Sequence, residues 1–168
     1  MWIFGYGSLM WRPGFPYRRA EVAVLTGWER RLDQGSPDHR GTPEQPGRVA
    51  TLVPNAAAES TGIAFSLHDV GRDEILAALD HRERGGYTRE HVRVALRDGT
   101  TVDAVTWVAA LRNPWYLGPT TSQRMAEVIR VARGESGSNV EYVLRLAETL
   151  QAQGVEDSHV LEVARLLA

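Results

Sequence analysis

The amino-acid sequence predicts a single α+β domain over residues 1–168, built as a small β-barrel with peripheral and C-terminal helices. Strand patterns fill the first two thirds of the chain and helical patterns fill the last third. That order is typical of α+β folds and differs from alternating βαβ units. Five or six strands with few helices to cover them favour a barrel or a strongly curled sheet. The length of 168 residues suits one domain with a sizeable core.

Apolar runs and alternation indicate where the strands lie. Residues 2–6 form an apolar run that suits a central strand. Ala20, Val22 and Val24 alternate with polar or small neighbours, which is a strand pattern. Asp98-Gly99 predicts a tight hairpin turn. The other predicted strands are residues 48–53, residues 61–67, a strand with Val92, Val94 and Leu96, and residues 101–109.

Glycine, proline and polar residues indicate the connections and the ends of helices. Residues 11–17 hold two prolines and a glycine and predict a loop. Residues 33–47 predict a long polar loop, of the kind that is often functional, and residues 54–60 predict a turn. A helix is expected over 72–82, ended by Gly85-Gly86. Amphipathic helices are expected at 121–133, 138–153 and 158–167, with capping-box spacing between Ser138 and Glu141.

Composition excludes several classes of function. Nineteen basic and 21 acidic residues give a net charge of −2, which is not the basic footprint of a nucleic-acid-binding protein. No run approaches the roughly 18 apolar residues of a membrane helix, and the N-terminus lacks the pattern of a signal peptide. We therefore expect neither a nucleic-acid partner nor a membrane partner.

The absence of cysteine and the placement of histidine limit the chemistry further. Without cysteine there is no disulfide, no thiolate nucleophile and no cysteine metal site. This composition fits a reducing compartment, so the predicted location is the cytoplasm. None of the five histidines has the spacing of a metal ligand set, such as His-Glu-x-x-His. No metal and no other cofactor is expected.

The segment Gly5-Tyr6-Gly7-Ser8 is a candidate binding loop. Small residues at the end of an apolar strand let the backbone approach a ligand closely, and bare N–H groups can hold a small anion such as an amino-acid carboxylate. A dinucleotide fingerprint fails because Met10 stands where the third glycine should be. Ser8 as a nucleophile lacks the Gly-x-Ser-x-Gly context. The alternative without function is a bulged strand end at which glycine only relieves crowding.

Glu83 is the candidate acid/base. It continues the apolar row of Ile75 and Leu79 at the C-terminal end of the predicted helix. Burial and the negative end of the helix dipole would both raise the pKa of its carboxyl group, as a general base near neutral pH requires. The competing interpretation is a structural carboxylate paired with Arg82 or Arg84.

Several ordered motifs resemble one protein family. They are Phe4-Gly5-Tyr6-Gly7-Ser8-Leu9-Met10-Trp11, Gln34-Gly35-Ser36, Asp38 to Glu44, Arg82 to Tyr87, Asn113-Pro114, Tyr116-Leu117-Gly118, Ser136-Gly137, Asn139, Glu141-Tyr142 and Asp157-x-His159. This set resembles the ChaC family of glutathione-specific γ-glutamylcyclotransferases over nearly the whole chain. The resemblance implies a cofactor-independent carbon–nitrogen lyase of the amidine-lyase class, which cleaves glutathione to 5-oxoproline and cysteinylglycine.

The resemblance also implies roles for particular residues. Glu83 corresponds to the general base of the family. The substrate-binding loop corresponds to Ile3, Phe4, Gly5, Tyr6, Gly7, Ser8 and Leu9. Tyr87, Tyr116 and Tyr142 suit either substrate orientation or simple packing.

Other functions remain open at this stage. The same chemistry could serve other γ-glutamyl amines or dipeptides. A non-catalytic amino-acid-binding module would use the same glycine-rich loop without a base. A hydrolase using Ser8 would release glutamate instead of a lactam. Oligomeric state does not follow from the sequence.

Overall fold

A computed structural model describes residues 1–168 and shows a closed five-stranded barrel. In chain order the strands are β1 (Trp2–Gly5), β2 (Arg19–Ser36), β3 (Gly47–Ser66), β4 (Tyr87–Leu96) and β5 (Thr101–Ala109). Around the barrel they follow the order β1-β3-β2-β4-β5. The first strand closes the barrel, because it lies antiparallel to β3 and parallel to β5. The predicted α+β class with a small barrel is confirmed.

The predicted loop over 33–47 is wrong at both ends. Strand β2 continues through Ser36, and Gly47 already begins β3, so the connection shrinks to residues 37–46. Gln34 pairs with Val49 and Ser36 pairs with Gly47. Gln34, Ser36 and Arg48 are polar yet buried here. Gln34 and Arg48 find hydrogen-bond partners in distant parts of the chain. Arg48, for example, donates through Nη1 to the carbonyl oxygens of Leu32 and Gly118, each at 2.9 Å.

The predicted turn over 54–60 is also wrong, because β3 runs from Gly47 to Ser66 as one strand of 20 residues. Its pairing with β2 does shift register at this point. Glu59 pairs with Thr26 and Pro54 pairs with Trp28, so four residues of β3 lie opposite one residue of β2. The turn signals in the sequence therefore mark a bulge within a paired strand.

Four helices pack against the barrel, close to the predicted positions. They are α1 (Arg72–Arg82), α2 (Ser122–Val131), α3 (Asn139–Ala152) and α4 (Ser158–Leu167). Thr121, Ser138 and Asp157 cap the last three, each accepting a hydrogen bond from the backbone N–H three residues later. Between α2 and α3 the chain forms a two-stranded ribbon, β6 (Arg133–Gly134) with β7 (Gly137–Ser138). Only half of the predicted capping box forms, because the Glu141 carboxylate bonds Arg40 instead.

The core is continuous from the barrel interior to the helices. Ile3 and Phe4 of β1 are fully buried, as are Leu146 of α3 and Val163 of α4. Gly62 is needed where β1 crosses β3, since a Cβ there would lie 2.3 Å from the Gly5 carbonyl oxygen. None of the four helices has the length and hydropathy needed to span a membrane.

Candidate active site

A cavity of about 360 Å³ opens where β1 ends. Its walls come from the turn after β1, which includes a 3-10 turn at Ser8–Met10, from the end of α1, from the loop 37–46 and from α3. The volume falls within the range of small-molecule sites. The fold thus brings the two segments singled out in the sequence, the glycine-rich turn and Glu83, to one hollow.

Strand β1 contributes Phe4 to the cavity wall, and the turn after it contributes Tyr6, Gly7, Ser8 and Leu9. The backbone N–H groups of Tyr6 and Gly7 donate to no acceptor within the protein. The next amides open a 3-10 turn, where no intrahelical acceptor is available. The result is a short run of backbone donors without protein acceptors at the cavity wall, which suits a carboxylate or an oxyanion.

Two residues of the predicted binding segment do not line the cavity. Ile3 is fully buried in the core of the barrel. Gly5 lies beneath Leu9, and a Cβ there would come within 2.7 Å of the Leu9 Cβ. Both residues support the turn from below, and neither presents a side chain to the cavity.

Glu83 ends α1 and places its carboxyl group in the cavity wall. It is the C-cap residue that follows Arg82, and its backbone N–H donates to the Leu79 carbonyl oxygen at 2.9 Å. Burial raises the pKa of the carboxyl group above its ordinary value of 4.5, and the guanidinium of Arg82, 3.5 Å away, opposes that rise. The side chain is 20% exposed, so the group is reachable from the cavity but largely removed from water. The pKa shift has the predicted direction, with burial as its largest cause.

Arg82 links the end of α1 to the turn after β1. Its Nη2 donates to Ser8 Oγ at 3.0 Å. Its Nη1 donates to the carbonyl oxygens of Arg12 and Pro13 at 3.2 and 3.3 Å. From the sequence, Arg82 is expected only as an ion-pair partner of Glu83. Its hydrogen bonds to the turn depend on a barrel closure that no local pattern reveals.

Three tyrosines, Tyr6, Tyr87 and Tyr142, line the cavity as neutral groups. Tyr6 donates its hydroxyl to the Trp107 carbonyl oxygen at 2.6 Å, and Tyr87 donates to the Ala50 carbonyl oxygen at 2.7 Å. The Tyr142 hydroxyl accepts from the Ala50 N–H at 3.1 Å. Burial raises the pKa of each phenol, that of Tyr142 to about 12.

Tyr116 lies outside this group. It pairs through a single backbone bridge with Gln34 and does not contribute to the cavity wall. Of the three tyrosines that the sequence analysis left without a role, the fold therefore brings Tyr87 and Tyr142 to the cavity.

The loop 37–46 contributes Asp38, His39 and Arg40 to the cavity wall. Arg40 is 7% exposed. Its Nη1 donates to the Ser138 carbonyl oxygen at 3.0 Å and to Glu141 Oε2 at 3.3 Å, and its guanidinium lies 5.7 Å from the centre of the Tyr142 ring. His39 lies beside it, with Nδ1 3.0 Å from Ser136 Oγ. The Arg40 guanidinium at the cavity wall suits an anionic ligand.

A family model described as ChaC-like protein matches residues 1–168. The chain belongs to the ChaC family. It is 42% identical to glutathione-specific gamma-glutamylcyclotransferase 1 of Danio rerio, over 100% of this chain and 89% of that protein. It is 34% identical to the glutathione-specific gamma-glutamylcyclotransferase of Escherichia coli, over 100% of this chain and 74% of that protein. The resemblance found in the sequence is confirmed.

Solved structures agree with the family assignment. A crystal structure of the γ-glutamyl cyclotransferase specific to glutathione from yeast superposes on this ChaC protein with a TM-score of 0.92 and 27% identity. The match covers 99% of this chain and 95% of the yeast chain. The structure brings no three His, Asp or Glu side chains together in a group that could hold a metal ion.

Proposed function

We propose that this protein is a glutathione-specific γ-glutamylcyclotransferase, a lyase that converts glutathione to 5-oxo-L-proline and L-cysteinylglycine. The observation that carries the proposal is one buried carboxyl group, that of Glu83, in the same cavity as the open backbone amides around Gly7. The activity named for relatives that match over most of their length supports it. We assign the reaction to a single domain over residues 1–168, and its cysteine-free composition is consistent with a cytoplasmic location.

Binding would use two parts of the cavity lining, the turn after β1 and the loop 37–46. The amides of residues 6–9 would hold the α-carboxylate of the γ-glutamyl group, with Phe4 and Leu9 against its methylene groups. Arg40 of the loop 37–46 would attract the glycine carboxylate at the other end of the tripeptide. A substrate held at both ends can be bent so that its α-amine approaches its own γ-carbonyl carbon.

The chemistry needs one proton acceptor. The α-amine attacks only as the neutral amine, so Glu83 first removes a proton from the ammonium group. Attack then closes a five-membered ring, with an effective molarity on the order of 10⁵ M or more when the groups are well aligned. An open amide of the turn can donate to the tetrahedral oxyanion.

The same carboxyl group completes the reaction. Protonated Glu83 gives its proton to the nitrogen of the cysteine residue as the C–N bond to the γ-carbon breaks. The attacking nitrogen loses its second proton in the same step, and the departing amine takes it up and leaves as an ammonium group. The products are the lactam and a free dipeptide, and Glu83 returns to its starting state without water as a reactant. A raised pKa suits both steps, because the group must accept and then release one proton near neutral pH.

The test is incubation of the purified protein with glutathione, followed by mass analysis of the products. We expect 5-oxoproline and cysteinylglycine in equal amounts, and faster turnover of glutathione than of γ-glutamyl-alanine. Free glutamate as the product would indicate a Ser8 hydrolase. Binding without turnover would indicate an amino-acid-binding module, and a preference for γ-glutamyl-alanine would shift the substrate assignment.

A further inference from the structure

Arg30 and Asp157 form an ion pair next to the turn that follows β1, and neither residue lines the cavity. We infer that Arg30 is a positioning residue that aims the Gly7 amide into the cavity, and that Asp157 at the start of α4 holds Arg30 in place. This inference rests on the proposed function, since the aimed amide serves as a donor to the substrate carboxylate.

All three guanidinium nitrogens of Arg30 are occupied. Nε donates to the Tyr6 carbonyl oxygen at 2.8 Å, and Nη1 donates to Asp157 Oδ2 at 2.7 Å. Nη2 donates to the Thr61 carbonyl oxygen of β3. The residue is 2% exposed. A buried charge with three defined acceptors has one permitted position, so the Tyr6 carbonyl group is held in one direction.

The direction of the Tyr6 carbonyl group sets the direction of the Gly7 N–H. The two groups belong to one peptide unit, and in a trans peptide they point to opposite sides of the chain. Because Arg30 holds the carbonyl oxygen toward the barrel, the Gly7 N–H points away from the barrel. Gly7 lines the cavity and its N–H has no acceptor in the protein, which agrees with this orientation. A cationic donor on the carbonyl oxygen also polarises the peptide and strengthens the N–H as a donor.

The two carboxylate oxygens of Asp157 accept hydrogen bonds from different donors. Oδ1 accepts the Val160 N–H at 3.1 Å and caps α4, while Oδ2 accepts from Arg30. The side chain is 12% exposed, so the pair is shielded from solvent and from salt. Removing Asp157 would leave Arg30 as a buried charge with one acceptor fewer, and the guanidinium would move to recover it. The start of α4 thereby contacts Arg30, 127 residues earlier in the sequence, and acts on the binding turn through it.

A purely structural ion pair would give a different result from a positioning pair, and three variants distinguish the two. Arg30→Lys keeps the charge but cannot reach all three acceptors. Asp157→Asn keeps the helix cap and removes the charge. Val163→Ala is the matched control, because it removes fully buried volume from α4 without touching the pair.

We expect Arg30→Lys to raise KM for glutathione at least about tenfold with kcat within about threefold, since the carboxylate contact is made equally in the ground and transition states. Asp157→Asn should raise KM by a smaller factor, and the double variant should show less than the product of the two factors, as expected for coupled groups. Val163→Ala should lower Tm and leave KM unchanged. An Arg30→Lys variant with KM within twofold of the parent protein overturns the inference, as does an equal rise in KM for Val163→Ala.

A second measurement does not depend on turnover. In ¹⁵N-labelled protein, the amide signal of Gly7 should shift between the parent protein and Arg30→Lys, and adding 5-oxoproline should move it less in the variant. In Val163→Ala the signal should stay in place. An unshifted Gly7 signal in Arg30→Lys overturns the positioning role even if the enzyme is active. A shifted signal in a protein that releases no 5-oxoproline would instead refute the proposed function.

Discussion

Replacing Glu83 with glutamine should separate the chemistry from the fold. Glutamine keeps the size of the side chain but cannot accept the ammonium proton. Loss of a general acid–base catalyst costs about 10²–10⁴-fold in rate, which is about 2.7–5.4 kcal/mol of activation free energy. We expect kcat for 5-oxoproline release to fall by at least about 10²-fold, with the tripeptide still bound.

The stability of Glu83→Gln should change little. The only ion pair lost is the 3.5 Å contact with Arg82, and partly exposed pairs contribute about 0–1 kcal/mol. For a domain of this size that corresponds to a Tm change of at most about 4 °C. The neutral amide also avoids the cost of burying a charge, which offsets part of the loss.

The pH dependence of the free energy of unfolding gives a second test of Glu83→Gln. Because burial raises the pKa of Glu83 above 4.5, the folded protein binds this proton more tightly than the unfolded chain does. The stabilisation from that group is complete below pH 4.5 and is lost as pH rises through the folded pKa. Glutamine does not ionise, so the free energy of unfolding of Glu83→Gln relative to the parent protein should rise with pH over this interval.

The assay is chromatographic detection of 5-oxoproline, with thermal unfolding measured on the same samples. Glu74→Gln is the matched control, since Glu74 is an exposed glutamate of the same helix outside the cavity. The control should keep its turnover within about twofold. Turnover of Glu83→Gln within threefold of the parent protein would remove Glu83 from the reaction, and a loss of the cooperative unfolding transition would make the activity result uninterpretable as chemistry.

Three further substitutions address the surroundings of Glu83. Arg82→Gln removes the cation that lowers the Glu83 pKa, so the acid limb of the kcat profile should move to higher pH; a limb at the same or lower pH would contradict this. Gly7→Val places a Cβ 3.1 Å from Tyr142 Oη and methyl groups in the cavity, so KM should rise at least about tenfold at nearly constant Tm, whereas an unchanged KM would place the substrate elsewhere. Tyr142→Phe leaves the buried Ala50 N–H without its acceptor, and denaturant unfolding should show a loss of about 1–3 kcal/mol; an unchanged midpoint would show that the hydrogen bond contributes nothing.

The sequence predicts those parts of the fold that local patterns determine. The helix over 72–82, the hairpin at Asp98-Gly99 and the cap at Ser138 depend on neighbours within a few residues. The extent of β2 and β3 does not. Residues such as Gln34 are polar, and a polar segment predicts a loop unless its hydrogen-bond partners are known. The Asn113 side chain, 79 positions away, provides hydrogen bonds to Gln34 in the folded protein.

The candidate site likewise has residues that local sequence patterns predict and residues that only the whole fold reveals. Glu83 stands out because its position on the helix is inconsistent with its charge, and the glycine-rich turn stands out because a strand breaks at Gly5. Arg82, Arg40 and Arg30 do not stand out, because a single arginine in sequence gives no indication of what its guanidinium will reach. Their contacts follow from barrel closure and from packing of the C-terminal helices, which are properties of the whole fold.

Closure of the barrel by β1 has a consequence for how the protein is made. Trp2 and Ile3 pair with Ala104 and Val105, so the first strand to leave the ribosome waits for the fifth before it has both neighbours. At about 5–20 residues per second that interval lasts roughly 5–20 s. During this time the nascent chain already contains the glycine-rich turn, but the cavity that the turn lines has not yet formed. Translation thus delivers the first residues of the binding turn early, while the ability to recognise a substrate arrives late.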